Sequence, residues 1–443
     1  MAISNSTTTT SEVATTDVVV IGAGVIGSAI AFELARRGRS VICLDAGPGV
    51  GAGSTSASSA IIRFHYSTMA SVLAAWESAP AWRDLAAHLG VEDPDGMARF
   101  VPTGSLVLDF PGSNREDVLE IFDRVGVPYT CWTGAEVKAH YPAMDVASFW
   151  PPKPIDDPGF ADDGTGALGG YYNPDAGFID DPMRAAGNFM YAARHHGAEL
   201  RLRSKVVEIH RSGGRVVGVR LESGARIDAP VVVNAAGPHS GVVNEMAGVL
   251  DEMRIRPRPL RNEVHVMAAP PGFDLDGGTL VADLDLGTYF RPHLGGTMIV
   301  GGSEPACDPM HWVDDPDDWN DRTTVECFET QTYRAARRLP DLPIPHRPNG
   351  IAALYDASDD WVPIYDRTGL DGYFMACGTS GNQFKNAPMA GVFLAELIEA
   401  AERGIDHDAE PVQVVGPRTG QAIDLGAFSR LRDPTATTGT VMG

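Results

Sequence analysis

The stretch Asp17–Gly38 constrains this chain more than any other. Four apolar residues, Val18 to Ile21, run into Gly22-x-Gly24-x-x-Gly27, and Ile26, Ile30 and Leu34 then recur at helical spacing. A second apolar run, Val41 to Leu44, ends in Asp45. The order is strand, tight glycine turn, helix, strand, acid, and each part has a task when a dinucleotide binds. Gly22 makes the turn, Gly24 lets the backbone approach a pyrophosphate, and Gly27 lets helix and strand pack closely. The helix N-terminus, with Val25 and Ile26 in its first turn, faces the phosphates, while Asp45 accepts hydrogen bonds from ribose hydroxyls. A glycine-rich turn in a buried helical hairpin is the competing reading, and it gives no task to an acid about twenty residues on. A membrane span from Val18 to Ala35 fails on Glu33 and on the glycines.

The 443 residues leave room for two domains, and a net charge of −23 argues against nucleic acid and anionic membranes as partners. Local sites can still be basic inside an acidic shell. Five scattered cysteines without a CxxC pair indicate neither a disulfide framework nor a metal site. Residues 1–16 are rich in Ser and Thr, with no basic start and no apolar core. They read as a flexible tail rather than a signal peptide, which makes the cytoplasm the expected compartment.

After Asp45, the run from Ala46 to Ala60 is built of small residues, including Ser54 and Ser59. It suits a backbone lying flat against a cofactor. Ile61-Ile-Arg63-Phe-His65-Tyr66 has a different character, and Met69–Leu89 has helical periodicity. A strand is expected at 104–110 and a helix at 115–125. Residues 148–170, dense in Pro, Gly and Asp, read as a surface excursion, either a lid or an inert insertion. A helix over 181–197 opens with Asp181-Pro182. Strands follow at 200–209, 216–221 and 225–233, the last running into Asn234-Ala-Ala236-Gly237-Pro238. Short strands fill 254–303, and a helix is expected over 322–339. Strands at 350–355 and 372–376 precede Gly378-Thr-Ser-Gly381-Asn-Gln-Phe-Lys385 and a helix to about 403. Residues 406–443 have little pattern and read as a tail.

Three segments together make a family visible: the Gly22 fingerprint with Asp45, the Asn234–Pro238 turn, and the Gly378–Gly381 joint. They resemble the D-amino-acid oxidase superfamily of FAD-dependent amine and amino-acid oxidoreductases, most closely its sarcosine oxidase, dimethylglycine dehydrogenase and glycine oxidase branch. The resemblance implies an α/β two-domain fold. A discontinuous Rossmann-like FAD-binding domain would span 17–75, 168–245 and 346–405. A substrate domain of mixed, largely antiparallel sheet plus helices would span 76–167 and 246–345. It implies FAD contacts from Gly22, Gly24, Val25, Ile26, Gly27, Asp45, Ala46, Ser54, Ser59, Ala60, Ile61, Val207, Ala236, Gly237, Gly381, Asn382, Gln383, Phe384 and Lys385.

The same resemblance locates chemistry. Ile61-Ile-Arg63-x-x-Tyr66 is similar to a segment in which an Arg binds the substrate carboxylate, and Gly381–Lys385 to one whose Lys is its partner. A carboxylate taken out of water needs charge-assisted donors, which an Arg fork and a Lys supply. Tyr289 lies where relatives present a Tyr to substrate. His65 is the nearest candidate base, with a packed core histidine as the plainer reading; His239 and His265 are read as structural. Relatives that attach flavin covalently do so at places occupied here by Ala57 and Ala353, so non-covalent FAD is expected. The strand Met298–Gly302 lacks the Lys that some relatives use with oxygen, which leaves oxygen or an electron carrier as acceptor.

The expected activity is oxidation of the C–N bond of a small amino acid or N-alkyl amino acid to an imine, which water hydrolyses. The alternatives are an FAD dehydrogenase of a hydroxy acid and a flavoprotein subunit of a multi-subunit amine oxidase. An oligomer or a partner subunit fits either outcome.

Overall fold

The computed structural model describes residues 13–443. Its centre is a six-stranded sheet ordered Glu199–Arg201, Val41–Leu44, Val18–Ile21, Val231–Asn234, Tyr373–Cys377, Ile364–Arg367. The first five strands are parallel and the edge strand is antiparallel. Because side chains alternate along a strand, Val18–Ile21 serves two cores. Val18 and Val20 face helices Val25–Arg36, Pro182–His195 and Ala387–Glu402. Val19 and Ile21 face a four-stranded sheet through Val216, Val219 and Ile227. The result is three layers, with a fully buried run of Val and Ile in the middle one, as a parallel sheet covered on both faces requires.

The second body is a nine-stranded sheet. Its order is His311–Trp312, Pro257–Ala268, Thr297–Gly302, Thr288–His293, Leu280–Asp283, Ser105–Leu108, Gly170–Asn173, Thr130–Trp132, with Gly350–Ser358 also pairing Pro257–Ala268. Every pairing is antiparallel except Leu280–Asp283 with Ser105–Leu108. Helix Val325–Arg338 lies on this sheet, anchored by Arg338, whose guanidinium is 2.7 Å from Asp283 and 3.1 Å from Asp285, all fully buried. A small sheet of Ile61–Ile62, Gly177–Ile179 and Phe100–Pro102 carries Arg63 at the end of its first strand.

Several sequence expectations shift. Residues 200–209, expected as one strand, are two in different sheets, Glu199–Arg201 and Val206–Ser212, with Arg203 between them at φ 52°. The expected strand 225–233 splits likewise into Arg226–Asp228 and Val231–Asn234. Pro230 breaks it, having no N–H for a ladder and restricting the residue before it. The expected helix 69–89 breaks at Asp84, whose side chain caps Leu85–Leu89 by accepting from Ala87 N at 3.0 Å. The strands Gly170–Asn173 and Gly350–Ser358 belong to the larger sheet, so the expected divisions at 168 and 346 fall elsewhere. Most of the expected N-terminal tail, 1–16, lies outside the described residues, but Val13–Thr15 is a strand paired with Arg226–Asp228.

The largest correction concerns residues 406–443, expected as a patternless tail. Gln413–Val415 and Ala422–Asp424 form a hairpin packed on helix Met69–Arg83. Buried Glu77 on that helix accepts from Arg418 N at 2.8 Å, Thr419 N at 2.9 Å and Thr419 Oγ1 at 2.6 Å. The Arg418 guanidinium stacks 3.4 Å over the Trp76 ring. Alternation of a short hairpin gives too weak a period to read from sequence, and its partners lie over 330 positions away. The excursion 148–170 is tied to Asp285 through Ser148 and Phe149 N, both at 2.7 Å, and to Arg334 through the Lys153 carbonyl. Among the described residues no helix is long and apolar enough to cross a membrane.

Glu77→Ala strips three donors of their buried acceptor and should cost about 1–3 kcal/mol. A denaturation midpoint should fall accordingly, and limited proteolysis should cut first within 411–425. Unchanged stability and an uncut hairpin would show that the clasp carries no weight.

Candidate functional site

The glycine turn is built from contacts that exclude a side chain. A Cβ on Gly22, at φ 107°, would sit 2.2 Å from the Ala235 carbonyl oxygen, and one on Gly27 would sit 1.9 Å from the Gly22 oxygen. These contacts lock strand, helix and the Asn234–Gly237 turn together. Gly24 caps helix Val25–Arg36 with no side chain of its own and no acid stands in the first turn, so apart from Val25 N, which donates to Thr55, the positive helix end is left for an anion. Asp45 is held rigidly: Oδ2 accepts from Ala23 N and Oδ1 from Gly47 N, each at 2.7 Å. Ala46 follows it at the strand end.

The small-residue loop folds back across this turn. Gly51 N donates to the Ala23 carbonyl at 2.8 Å and Thr55 Oγ1 accepts from Val25 N at 3.0 Å. Ser54 Oγ donates to the Leu354 carbonyl at 2.7 Å, joining the loop to the larger sheet. Ala60, at φ 49°, turns the chain into Ile61. Arg291, a buried cation, grips the Ser59 carbonyl through Nη2 at 2.9 Å and Nε at 3.2 Å, 3.6 Å over the Phe178 ring. Burial lowers its pKa to about 9. Val207 lies in a bulge of the four-stranded sheet, between paired Val206 and Glu208. Ala236 N donates to Asn234 Oδ1 at 3.1 Å, and Gly237, at φ 57°, opens a short helix.

The last joint brings the second half of the site. Strand Tyr373–Cys377 ends in Gly378, then Ser380 at φ 49° and Gly381 at φ 66°. A Cβ on Gly381 would be 2.4 Å from the Tyr355 ring. Asn382, Gln383, Phe384 and Lys385 follow, all buried, and helix Ala387–Glu402 starts without a side-chain cap.

Arg63 and Lys385 meet here, 322 positions apart in sequence. Both lie against Tyr66, with Arg63 Cζ 5.0 Å and Lys385 Nζ 5.3 Å from its ring centre. Lys385 Nζ donates to Tyr66 Oη at 3.1 Å and to the Asn382 carbonyl at 2.7 Å. Arg63 donates to the carbonyls of His65 and, at 2.8 Å, Val441. Among the described residues neither cation makes an ion pair. Burial, with the Arg63 charge adding to it, depresses the Lys385 pKa well below its ordinary value.

Tyr289 is also in this cluster. Its hydroxyl shares a hydrogen bond with Ser59 Oγ at 2.8 Å, and its ring crosses Gly301, its strand partner. His65 is buried, with Nδ1 bonded to Tyr171 Oη; burial and the Arg63 charge lower its pKa to about 3, which holds it neutral. His265 bonds Gln331 instead, and His239 pairs with Asp317. Sequence reasoning missed Glu304, at φ 48°, which accepts from Asn262 Nδ2 and Val441 N, both at 2.9 Å. Enclosure of its carboxyl end raises its pKa to about 7, although part of the residue stays exposed. An acid two residues after the run Met298–Gly302 was the available signal. Tyr355 and Arg291 carried none.

Residues 17–397 match the family description DAO, FAD dependent oxidoreductase. The chain belongs to this family. FAD is therefore its cofactor, and the uncapped helix ends, the side-chain-excluding turn and the clamped Asp45 fit that group. The DAO-family relatives include the sarcosine oxidase subunit beta of Arthrobacter sp, 26% identical over 390 residues that cover 86% of each chain. The fold is that of L-proline dehydrogenase from P. horikoshii, at TM-score 0.71 and 24% identity over 89% of this chain and 100% of that one. It is equally that of glycine oxidase from Geobacillus kaustophilus, at TM-score 0.72 and 22% identity over 95% and 99%. This DAO-family chain is an FAD-dependent oxidoreductase with an α/β fold and amino-acid-oxidising homologues.

Asp45→Ala removes the acceptor that orders Ala23 N and Gly47 N. FAD affinity should fall on the order of tenfold to a hundredfold, measured by fluorescence titration of the apoprotein. An unchanged dissociation constant would remove Asp45 from the cofactor site.

Proposed function

We propose that this chain oxidises the C–N bond of a small amino acid or N-alkyl amino acid (sarcosine-, dimethylglycine- or glycine-like) to an imine, which water then hydrolyses. The observation that carries the reading is the pair Arg63 and Lys385: two buried cations against one tyrosine, with no acid partner among the described residues. Leaving two like charges desolvated together is costly unless an anion joins them. A substrate carboxylate supplies that anion, and the Arg fork orients it.

Bound FAD supplies the two-electron acceptor for the hydride from the carbon next to nitrogen. Arg63 and Lys385 fix the carboxylate end, and Tyr289 and Tyr66 offer hydroxyls beside it. The positive field of the two cations disfavours an ammonium group nearby, so it promotes loss of the amine proton that must precede oxidation. Neutral His65 adds no charge and serves as a packed partner of Tyr171. We propose that FAD is held without a covalent bond, since the sites of attachment in relatives are Ala57 and Ala353 here. Oxygen or an electron carrier takes the electrons. The name of the Arthrobacter relative, a subunit beta, supports a partner subunit as a second reading of the assembly.

Anaerobic mixing of the holoenzyme with N-methyl amino acids, simple amino acids and hydroxy acids tests the chemistry. Flavin bleaching is expected with the amines; bleaching with hydroxy acids alone would overturn the assignment. Arg63→Met should weaken substrate binding on the order of tenfold to a hundredfold while changing FAD affinity little. Equal losses would mean a structural role. Acid precipitation should leave the flavin in the supernatant, and flavin in the pellet would contradict non-covalent attachment.

The depressed Lys385 pKa sets a pH dependence. Above its free-enzyme pKa, Lys385 is neutral and must take up a proton when a carboxylate arrives. Affinity for a carboxylate should therefore fall as pH rises through that pKa. Calorimetry in buffers of different ionisation enthalpy should register the proton uptake, and Lys385→Met should abolish it.

A further inference from the structure

The segment Thr440–Gly443 is buried, although Gly439 before it is exposed. Upstream, the chain is moored to Asp360. Arg432 reaches both carboxylate oxygens at 2.8 and 2.9 Å, Thr435 N donates at 3.1 Å, and Thr437 Oγ1 donates to the Asp360 carbonyl at 3.0 Å. Beyond Thr437 the mooring stops. Gly439 sits at φ 67°, and a tight turn closed by Gly443 N on the Thr440 carbonyl at 3.0 Å forms the tip.

That tip enters the site. Val441 N donates to Glu304 at 2.9 Å, and the Val441 carbonyl accepts from Arg63 Nη2 at 2.8 Å. Ser67 Oγ donates to the Gly443 carbonyl at 2.7 Å. Met442 is buried in the main core. Gly443 lies against the Tyr66 ring so closely that a Cβ there would be 2.6 Å from Tyr66 Cδ1. The tip thus rests on the residues that bracket the carboxylate subsite, and Arg63 spends its outward N–H on a neutral carbonyl.

We propose that Thr440–Gly443 is a built-in competitor for the carboxylate subsite, which a substrate carboxylate displaces by taking Arg63 from the Val441 carbonyl, with Gly439 as the hinge. The inference rests on the reading of Arg63 as a carboxylate binder. A hydrogen bond from guanidinium to a carboxylate is roughly twice as strong as one to a neutral acceptor, so a charged ligand wins the exchange and an uncharged amine does not. The tip is tethered and hence present at high effective concentration. It scales the apparent affinity for the subsite by the fraction of time it is open, a cost that only a ligand gaining a charge-assisted bond to Arg63 recovers. The device therefore selects for a free carboxylate before any chemistry begins.

Acetate is the probe. Hydrogen exchange on the holoenzyme reads residues 440–443, and the flavin spectrum reads occupancy. Saturating acetate should speed exchange of the Val441, Met442 and Gly443 amides by about tenfold or more, and Arg63→Met should abolish that response. A chain stopped after Ala436 should bind acetate about tenfold more tightly. Acetate binding with tip exchange unchanged or slowed would overturn the inference while leaving the carboxylate reading intact, as would weaker binding by the shortened chain. No spectral shift with acetate in either chain would sink the carboxylate reading and the competition with it. If the shortened chain does not fold, the exchange measurement decides.

Discussion

The site is built on two basic groups, Arg63 and Lys385, buried together with no acid paired to either among the described residues. Arg63 and Lys385 come from segments 322 positions apart, and each reaches the site only because a different strand ends there. Ile61–Ile62 pairs with Gly177–Ile179 and delivers Arg63; Tyr373–Cys377, in the parallel sheet, delivers the Gly378–Lys385 joint. What the protein supplies in place of a counter-charge is oriented dipoles: the carbonyls of His65, Val441 and Asn382 and the face and hydroxyl of Tyr66. These make the cations tolerable in the free protein without satisfying them. An anion has more to gain here than anywhere on the surface, because the cost of desolvating the cations is met when the chain folds.

The two bodies of the fold meet along a line that the same residues stitch. Ser54 bonds the Leu354 carbonyl, Ser59 bonds Tyr289, and Arg291 grips the Ser59 carbonyl from the larger sheet. The loop carrying the small residues is therefore held by the nine-stranded sheet at one end and by the glycine turn at the other, through Gly51 and Thr55. A loop pinned at both ends can lie flat without a core of its own. Its stability is borrowed from the two sheets, so disturbance of Arg291 or Tyr289 would be felt along the whole loop.

Much of this was legible in the sequence, and the reason differs by element. The fingerprint Gly22 to Asp45 was readable because local rules all agree there: apolar strand, glycines at forced contacts, helical period, terminal acid. The Arg63 and Lys385 segments were readable only through resemblance, since nothing in either says that it meets the other. Strand splits at Arg203 and Pro230 mattered because a continuous apolar pattern hides a change of sheet. The hairpin at 413–424, the grip of Arg291 on Ser59 and the tip at Thr440–Gly443 rest on contacts of high sequence separation. Short polar segments have no period that foretells such contacts. His65 had two readings, a base or a packed core histidine, and burial beside Arg63 keeps it neutral and bonded to Tyr171.

The charge of the whole chain bears on which ligands reach the buried cations. At −23 the protein repels anions over roughly a Debye length of about 8 Å at physiological ionic strength. A free dicarboxylate would meet that field with its full charge. A zwitterionic amino acid carries no net charge, so on the proposed reading it would approach with little penalty and separate its charges only at Arg63 and Lys385. The net acidity of the chain and the buried Arg63 and Lys385 are thus compatible, because they act at different distances on one small molecule.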